Sequence, residues 1–327
     1  MTVRIGTRAS KLALTQTQQT ADKLAAVGGF PVELVHIKTE GDVKTGSLSQ
    51  MGGTGVFVAA LRDALLAESC DVAVHSLKDL PTGSALGLSI AATPTRVDVR
   101  DVLCAREGMT LAQLPSGAKV GTGSPRRAAQ LRAARPDIEV LDIRGNVDTR
   151  LGRVPGLPGN ATDEVVPGKS CDLDAVVLAA AGLERIDRLD SVSEFFGTDV
   201  MLPAPGQGAL AIECRTEDAP AQGSNGVLAQ ALAALNDDDT RLAVTAERAV
   251  LARLEAGCAA PVGAYAFRKG SMLHLEAVVC AVDGTKTVRE KKATDGLTEV
   301  GATLLGIEVA ELLLAAGAAE IADLAAS

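Results

Sequence analysis

Short β-branched runs alternate with helix-patterned stretches from the first residues onward, and no other feature constrains the fold as tightly. Val3 to Gly6 and Val32 to Lys38 read as strands. Between them, Lys11 to Val27 reads as a helix that ends at Gly28-Gly29. Phe57, Ala60, Leu61, Ala64 and Leu65 recur on one helical face, and the strand Asp71 to His75 follows. Such alternation predicts parallel βαβ units with helices on both faces of a sheet. A second set begins near Val102. It has strands at Lys119 to Gly121, Ile138 to Ile143 and Ala175 to Ala179, with a helix from Arg126 to Arg135 closed before Pro136. Leu210 to Cys214 is a further strand, and the PAPGQG segment before it, Pro203 to Gly208, suits a crossing back into the first domain.

The last third changes character. Thr240 to Ala256 is predicted as a long helix with Asp237, Asp238 and Asp239 at its start, where the helix dipole favours them, and with Gly257 as its C′ residue. Two β-runs, His274 to Val282 and Thr285 to Glu290, flank the hairpin signal Asp283-Gly284, and a final helix spans roughly Thr298 to Ala315. The expected division is a discontinuous α/β domain (1–98 and 205–222), a second, anion-binding α/β domain (99–204) and a small α+β domain (223–327). The Gly/Pro-rich stretch from Val154 to Ser170 reads as a surface loop or insertion.

Composition narrows the function. The 327 residues include no Trp, one Tyr and five Phe, too few aromatics for a stacking platform for nucleic acid. A net charge of −9 argues against general binding to polyanions. No apolar stretch reaches membrane-spanning length, and the opening MTVRIGTRAS lacks the apolar core of a signal peptide. The expectation is a cytoplasmic chain with neither nucleic-acid nor membrane partners. It is expected to be a monomer, since no long apolar stripe demands a partner. Six cysteines without a CxxC pair, and only three histidines, disfavour a zinc site or a disulfide framework. Cys70, Cys104, Cys214 and Cys280 lie in or beside apolar runs and read as packed residues.

Charge is nevertheless concentrated. Lys119 to Arg153 holds eight basic and four acidic residues, a local +4 inside an acidic chain, which suits a focused site for a small polyanion. Within it, VGTGSPRRAAQL sets a Gly-rich turn between strand and helix. Ser124, Arg126 and Arg127 there form a candidate carboxylate or phosphate cradle. The glycines do not complete GxGxxG and no Walker lysine follows, so a nucleotide-dependent transferase is disfavoured. For Arg132 and Arg135, further along, a solvated helix face is as good a reading. DIRGNVDTR places Arg144 and Arg150 in a loop after another strand, and GTRAS places Arg8 and Ser10 after the first. Open α/β sheets bind ligands at such carboxyl ends.

HSLKDLP, His75 to Pro81, ends the Asp71 to His75 run with Lys78 beside Asp79. Taken alone, such a pair is more often a solvated turn. In company with the other strand ends, Lys78 gains an acid to hold and Asp79 a developing cation to stabilise. Cys258, in AGCAAPVGAYA, stands just past a helix C-terminus, where the dipole disfavours a thiolate. That argues against a turnover nucleophile of the papain kind and leaves two readings, an inert loop cysteine, which spacing alone favours, or a one-time covalent attachment.

IGTRASKLAL, GDVKTGSLSQMGGTGVF, AVHSLKDLP, GTGSPRRAAQL, IRGNVDTRL, VLAAAGLERI, LPAPGQGALAIECR and GCAAPVGAYA follow one another along nearly the whole chain. In that order they resemble the porphobilinogen deaminase (hydroxymethylbilane synthase) family. The resemblance implies two periplasmic-binding-protein-like α/β domains plus a small α+β C-terminal domain. It implies a dipyrromethane cofactor joined by a thioether to Cys258, onto which four porphobilinogen units condense with loss of ammonia before hydroxymethylbilane is released. The partners are then porphobilinogen and its oligopyrrole chain. The implied cofactor contacts are Cys258, Lys78, Asp79, Ser124, Arg126, Arg127 and Arg144. The implied substrate contacts are Arg8, Ser10, Phe57, Arg150, Arg185 and Gln207, with Asp79 as the catalytic carboxylate. One departure is Thr54 in GTGVF, where many family members carry Lys. Gly41 to Gly55 reads as a mobile lid. The main rival is a non-enzymatic small-anion binding protein of periplasmic-binding-protein type, which leaves Cys258 and the third domain without a role.

Overall fold

The computed structural model describes residues 2–37, 55–158, 171–220, 226–257 and 260–322, with 55–57 described for backbone only. Cys258, Thr54, the expected lid short of Gly55 and most of the Gly/Pro-rich insertion lie outside the described residues.

The first sheet has the order β2-β1-β3-β10-β4, from β1 (Val3–Thr7), β2 (Val32–His36), β3 (Val72–Ser76), β4 (Leu88–Ala92) and β10 (Leu210–Arg215). The second has the order β7-β6-β8-β5-β9, from β5 (Asp101–Ala105), β6 (Lys119–Gly121), β7 (Glu139–Leu141), β8 (Ala175–Ala179) and β9 (Glu194–Phe195). The two sheets repeat one pattern. In each, a single strand runs against the rest: β10 is antiparallel to β3 and β4, and β5 is antiparallel to β8 and β9. The expected parallel βαβ pairings are present, β1 with β2 and β3, and β6 with β7 and β8, and each sheet adds one reversed strand. The reversed strands are the two that follow the crossings between the domains, so each enters its sheet from the opposite end.

Strands buried on both faces read as continuous apolar runs rather than alternating ones. In β5, Val102 and Cys104 pack toward Ile143, Leu151 and Leu183, while Leu103 and Ala105 pack toward Val120, Leu131 and Phe196. The first sheet is covered by the helix Lys11–Gly28 through Ala21 and Leu24, and also by the helix Val227–Leu235 through Leu228 and Leu232. The sequence division puts that second helix in the third domain. Its apolar face closes the first-domain core instead.

The third sheet, β11 (Val262–Lys269), β12 (Met272–Cys280) and β13 (Thr287–Thr294), is an antiparallel meander. Leu273, Leu275 and Ala277 point from it toward Ala246, Val250, Leu305 and Val309 on the helices Asp238–Arg253 and Glu299–Ala315. Asp237 caps the first of these helices by accepting from Thr240 N at 2.8 Å. The helix stops at Arg253, and Leu254 rather than Gly257 follows it as the cap. On the other face of β12, Val278 and Cys280 meet Ala129 of the helix Pro125–Ala134 and dock this domain on the second.

Two chain crossings join the α/β domains and lie side by side, Val97 N donating to Gly208 O at 3.4 Å. A buried carboxylate, Glu247 of the third domain, clamps both. It accepts from Arg96 Nη1 at 2.6 Å and Nη2 at 3.0 Å on the first crossing, from Gly206 N at 2.7 Å on the second, and from Ala266 N at 2.8 Å on β11. Gly206 has φ +77°, and a Cβ there would sit 3.2 Å from the backbone nitrogen of Lys78. Only glycine lets the hinge lie this close to the HSLKDLP turn. Among the described residues no helix is long and apolar enough to cross a membrane.

Candidate active site

The carboxyl ends of the parallel strands converge on the cleft between the two α/β domains, as open sheets direct. After β1 come Arg8 and Ser10, the latter capping the helix Lys11–Gly28 by accepting from Ala13 N. After β3 comes one turn of 3-10 helix, Leu77–Asp79. Leu77 and Leu80 are buried beneath it, leaving Lys78 half-buried and Asp79 exposed. Leu80 is extended, with φ −79° and ψ 133°, as the following proline requires. Arg248 of the third domain braces the turn by donating to Leu80 O at 3.0 Å and Pro81 O at 2.6 Å. A cavity of about 270 Å³ opens here. Arg8, Ser10, Lys78 and Asp79 line it from the first domain, Ala181 and Arg185 from the second, and Gly208 from the hinge. Gln16, His75 and Ser76 also line it; the sequence reading gives none of the three a role, although the last two open HSLKDLP.

Ser124, Arg127, Arg144 and Arg150 do not line this cavity; they form a cationic wall on the second domain that meets Lys78 through Arg127. Ser124 caps the helix Pro125–Ala134 by accepting from Arg127 N at 3.4 Å. Arg144 is exposed and pairs with Asp142 at 3.1 Å; Arg150 donates to Gly145 O at 2.9 Å. Burial, with repulsion from Arg127 and Arg144, pushes the Arg150 guanidinium down to about 10. Burial pushes Arg185 down to about 10 as well. Lys78 is pushed down to about 8, by burial first and then by Arg127, against the opposing pull of Asp79 and Asp101. Lys78 and Arg150 each lie within electrostatic reach of Arg127, a like-charge arrangement that costs free energy until an anion binds.

Two expected contacts do not face the cleft. Arg126 is buried, with Nη1 donating to Asp101 Oδ2 at 2.8 Å and to Leu202 O at 2.5 Å. Gln207 is 0% exposed, its amide engaged with Val99, Asp101 and Lys78. Arg127 is divided, its Nε donating to Asp101 Oδ1 at 2.8 Å while its charge acts on Lys78 and Arg150. Arg132 and Arg135, further along the helix, are structural: they donate to Val282 O at 2.8 Å and to Leu114 O at 3.0 Å. Phe57 falls within the helix Gly55–Leu66, with its side chain outside the described residues, as is Cys258.

The group that organises this wall, Asp101, carries no motif. It is a carboxylate that opens a strand in which every residue is buried. Burial would raise its pKa, but Arg126 and Arg127 outweigh that and hold it well below the usual carboxylate range. Glu213 on β10 plays the same part in the first domain. Burial pushes it up, while the hydrogen bonds from Arg62 and the close His75 imidazole outweigh burial and hold it low. His75 Nε2 lies 3.2 Å from its Oε2.

Family models match on both sides of the hinge. Residues 3–223 match "Porphobilinogen deaminase, dipyromethane cofactor binding domain", and residues 241–315 match "Porphobilinogen deaminase, C-terminal domain". The chain is 55% identical to a porphobilinogen deaminase of Cutibacterium acnes, over 99% of this chain and 98% of that one. It is 50% identical to one of Micrococcus luteus, over 97% and 93%. A periplasmic substrate-binding protein of Coxiella burnetii aligns at 15% identity and a TM-score of 0.43, covering 71% of this chain and 91% of that one, a level that says nothing of function. With one cleft, its cationic strand ends and both family models in register along a single chain, this protein belongs to the porphobilinogen deaminase family.

Proposed function

We propose that this chain deaminates porphobilinogen and condenses four molecules of it onto a dipyrromethane primer, then releases hydroxymethylbilane, a step of porphyrin and heme biosynthesis. One observation carries the reading. Asp79, exposed and the one carboxylate among the described residues that line the cavity, stands there with the cationic side chains of Arg8, Lys78 and Arg185. A site that only grips anions has no use for that carboxylate, which disfavours the non-enzymatic binding protein. A reaction that forms a cation between carboxylate-bearing rings has use for both.

The donor set suits a dipyrromethane. Its acetate and propionate groups need several cationic and hydroxyl partners; Lys78 from the first domain, with Arg127, Arg144, Arg150 and the Ser124 cap from the second, would supply them. When bound, the group supplies the free pyrrole carbon that accepts the first substrate. Arg8, Ser10 and Arg185 hold the incoming ring by its carboxylates. Arg127 and Lys78 bind at the junction of the two domains. Asp79 accepts hydrogen bonds from pyrrole N–H groups, stabilises the electron-poor centre left by ammonia, and takes part in moving the proton lost on coupling. Cys258 is the proposed thioether anchor, and the chain is taken to act as a cytoplasmic monomer.

The anchor is tested by intact-protein mass spectrometry. The wild-type chain is expected to carry the added mass of a dipyrromethane, and Cys258→Ser to show the bare mass. A bare wild-type mass that does not grow on adding porphobilinogen would remove the cofactor from the reading.

The grip of Lys78 is tested by pH. Its ammonium titrates near 8 in the free cleft and is stabilised by bound carboxylates, so binding takes up a proton and weakens as pH rises past 8. KM for porphobilinogen is expected to climb by up to about tenfold per pH unit above that point. In Lys78→Arg the climb should flatten. An identical alkaline limb in both proteins would assign it to another group.

A further inference from the structure

The second crossing of the hinge passes beneath the HSLKDLP turn, and Gln207 sits on it with no exposed surface. Its side-chain amide is fully engaged. Nε2 donates to Val99 O at 2.8 Å and to Asp101 Oδ1 at 2.9 Å, while Oε1 accepts from Lys78 Nζ at 3.2 Å. The amide cannot be turned over, because Val99 O and Asp101 Oδ1 only accept and the ammonium only donates. The three partners belong to three parts of the molecule. Val99 is on the other crossing, Asp101 opens β5 of the second domain, and Lys78 lies on the turn after β3 of the first.

We propose that Gln207 is a positioning residue for the reaction. It sets the Lys78 amine against the second-domain carboxylate Asp101, so that the place and charge of a first-domain binding group follow the geometry of the hinge. The charged groups around Lys78 are Asp79 on its own turn, Asp101 on β5, and Arg126 and Arg127 on the helix Pro125–Ala134. Two carboxylates thus face two guanidiniums, and a neutral carbonyl adds an acceptor without disturbing that balance. The angle between the domains also sets whether the three bonds can be made together.

The test uses the full chain as purified, in Gln207→Glu and Gln207→Met forms. The titration of Lys78 is followed by competitive acetylation with acetic anhydride across pH, quantified on the peptide that contains it. Glu keeps an acceptor and adds a negative charge; the Lys78 midpoint is expected to rise by about one unit or more above wild type. Met keeps the volume and removes the acceptor, and the midpoint is expected to fall. An unmoved midpoint in both folded variants would overturn the proposal, since a residue that merely fills space shifts no amine. Should Gln207→Met fail to fold, the sign of the shift in Gln207→Glu decides alone. The labelling is independent of turnover, whereas the kinetic consequence rests on the reading of Lys78 as a ligand contact. KM for porphobilinogen should rise roughly tenfold in Gln207→Met, the worth of one hydrogen bond to a charged group. A moved midpoint with an unmoved KM would support the positioning role and count against Lys78 as a ligand contact.

Discussion

Replacing Asp79 by Asn is expected to lower kcat at least about a hundredfold, the usual cost of removing a group aimed at charge that develops in the transition state. Asn keeps the shape and loses the charge. The turn itself should survive, because Leu77 and Leu80 bury beneath it and Arg248 holds its carbonyls. The melting temperature should therefore stay within about 2 °C of wild type, as for an exposed substitution that breaks no buried contact. Asp79→Glu keeps the charge but moves it by one methylene, and should retain the covalent adduct while turning over far more slowly. Because Asp79 also supports the charged form of Lys78, the Lys78 amine should titrate below 8 in the Asn variant. Near-normal turnover in either variant would take the central role away from this carboxylate.

Asp101→Asn is the second large effect, and it acts on stability. The substitution leaves Arg126 and Arg127, 4% and 6% exposed, without their carboxylate. Removing one partner of a buried ion pair costs about 3–5 kcal/mol, because the other charge stays buried and uncompensated. The urea midpoint should fall accordingly with little change in slope. The sign with pH follows from the lowered pKa of Asp101. Its contribution is present above the unfolded carboxylate value of 3.8 and is lost as pH falls through the folded value. The gap between wild type and variant should thus be flat across neutral pH and narrow only in acid below about pH 4. A gap that closes already at pH 6 would show that the pairing is not what stabilises this core.

The sequence made the local chemistry of the cleft readable, because each strand-end motif carries its own geometry. Ser10 and Ser124 stand at helix starts and cap them, and a proline follows the extended Leu80; these are short-range devices. What stayed hidden depends on partners far away in the chain. Glu247 and Asp101 look like any other acid until Arg96, Gly206, Arg126 and Gln207 are brought around them. Arg126 and Arg127 share one motif and so looked alike. Both are buried, but one helical step sends the first to Leu202 O and the second to Val177 O, where its charge acts on Lys78 and Arg150. Strand direction was also illegible: DVLCA and LAIECR are apolar runs that pair equally well either way, and the hinge decides. The helix Val227–Leu235 was misplaced for a related reason, since an apolar face does not say which core it closes.

The position of β10 bears on how the chain folds as it is made. It lies between β3 and β4, so those two strands have no direct pairing with each other and the first sheet stays split until Leu210–Arg215 has emerged. The helix Val227–Leu235 that caps the same core comes later still. The second sheet, by contrast, draws every strand from Asp101 to Phe195 and can close while the first is still waiting. Synthesis from the N-terminus therefore completes the inserted domain before the one that contains residue 3, and the open edges of β3 and β4 are the surfaces most exposed to wrong pairing in the interval.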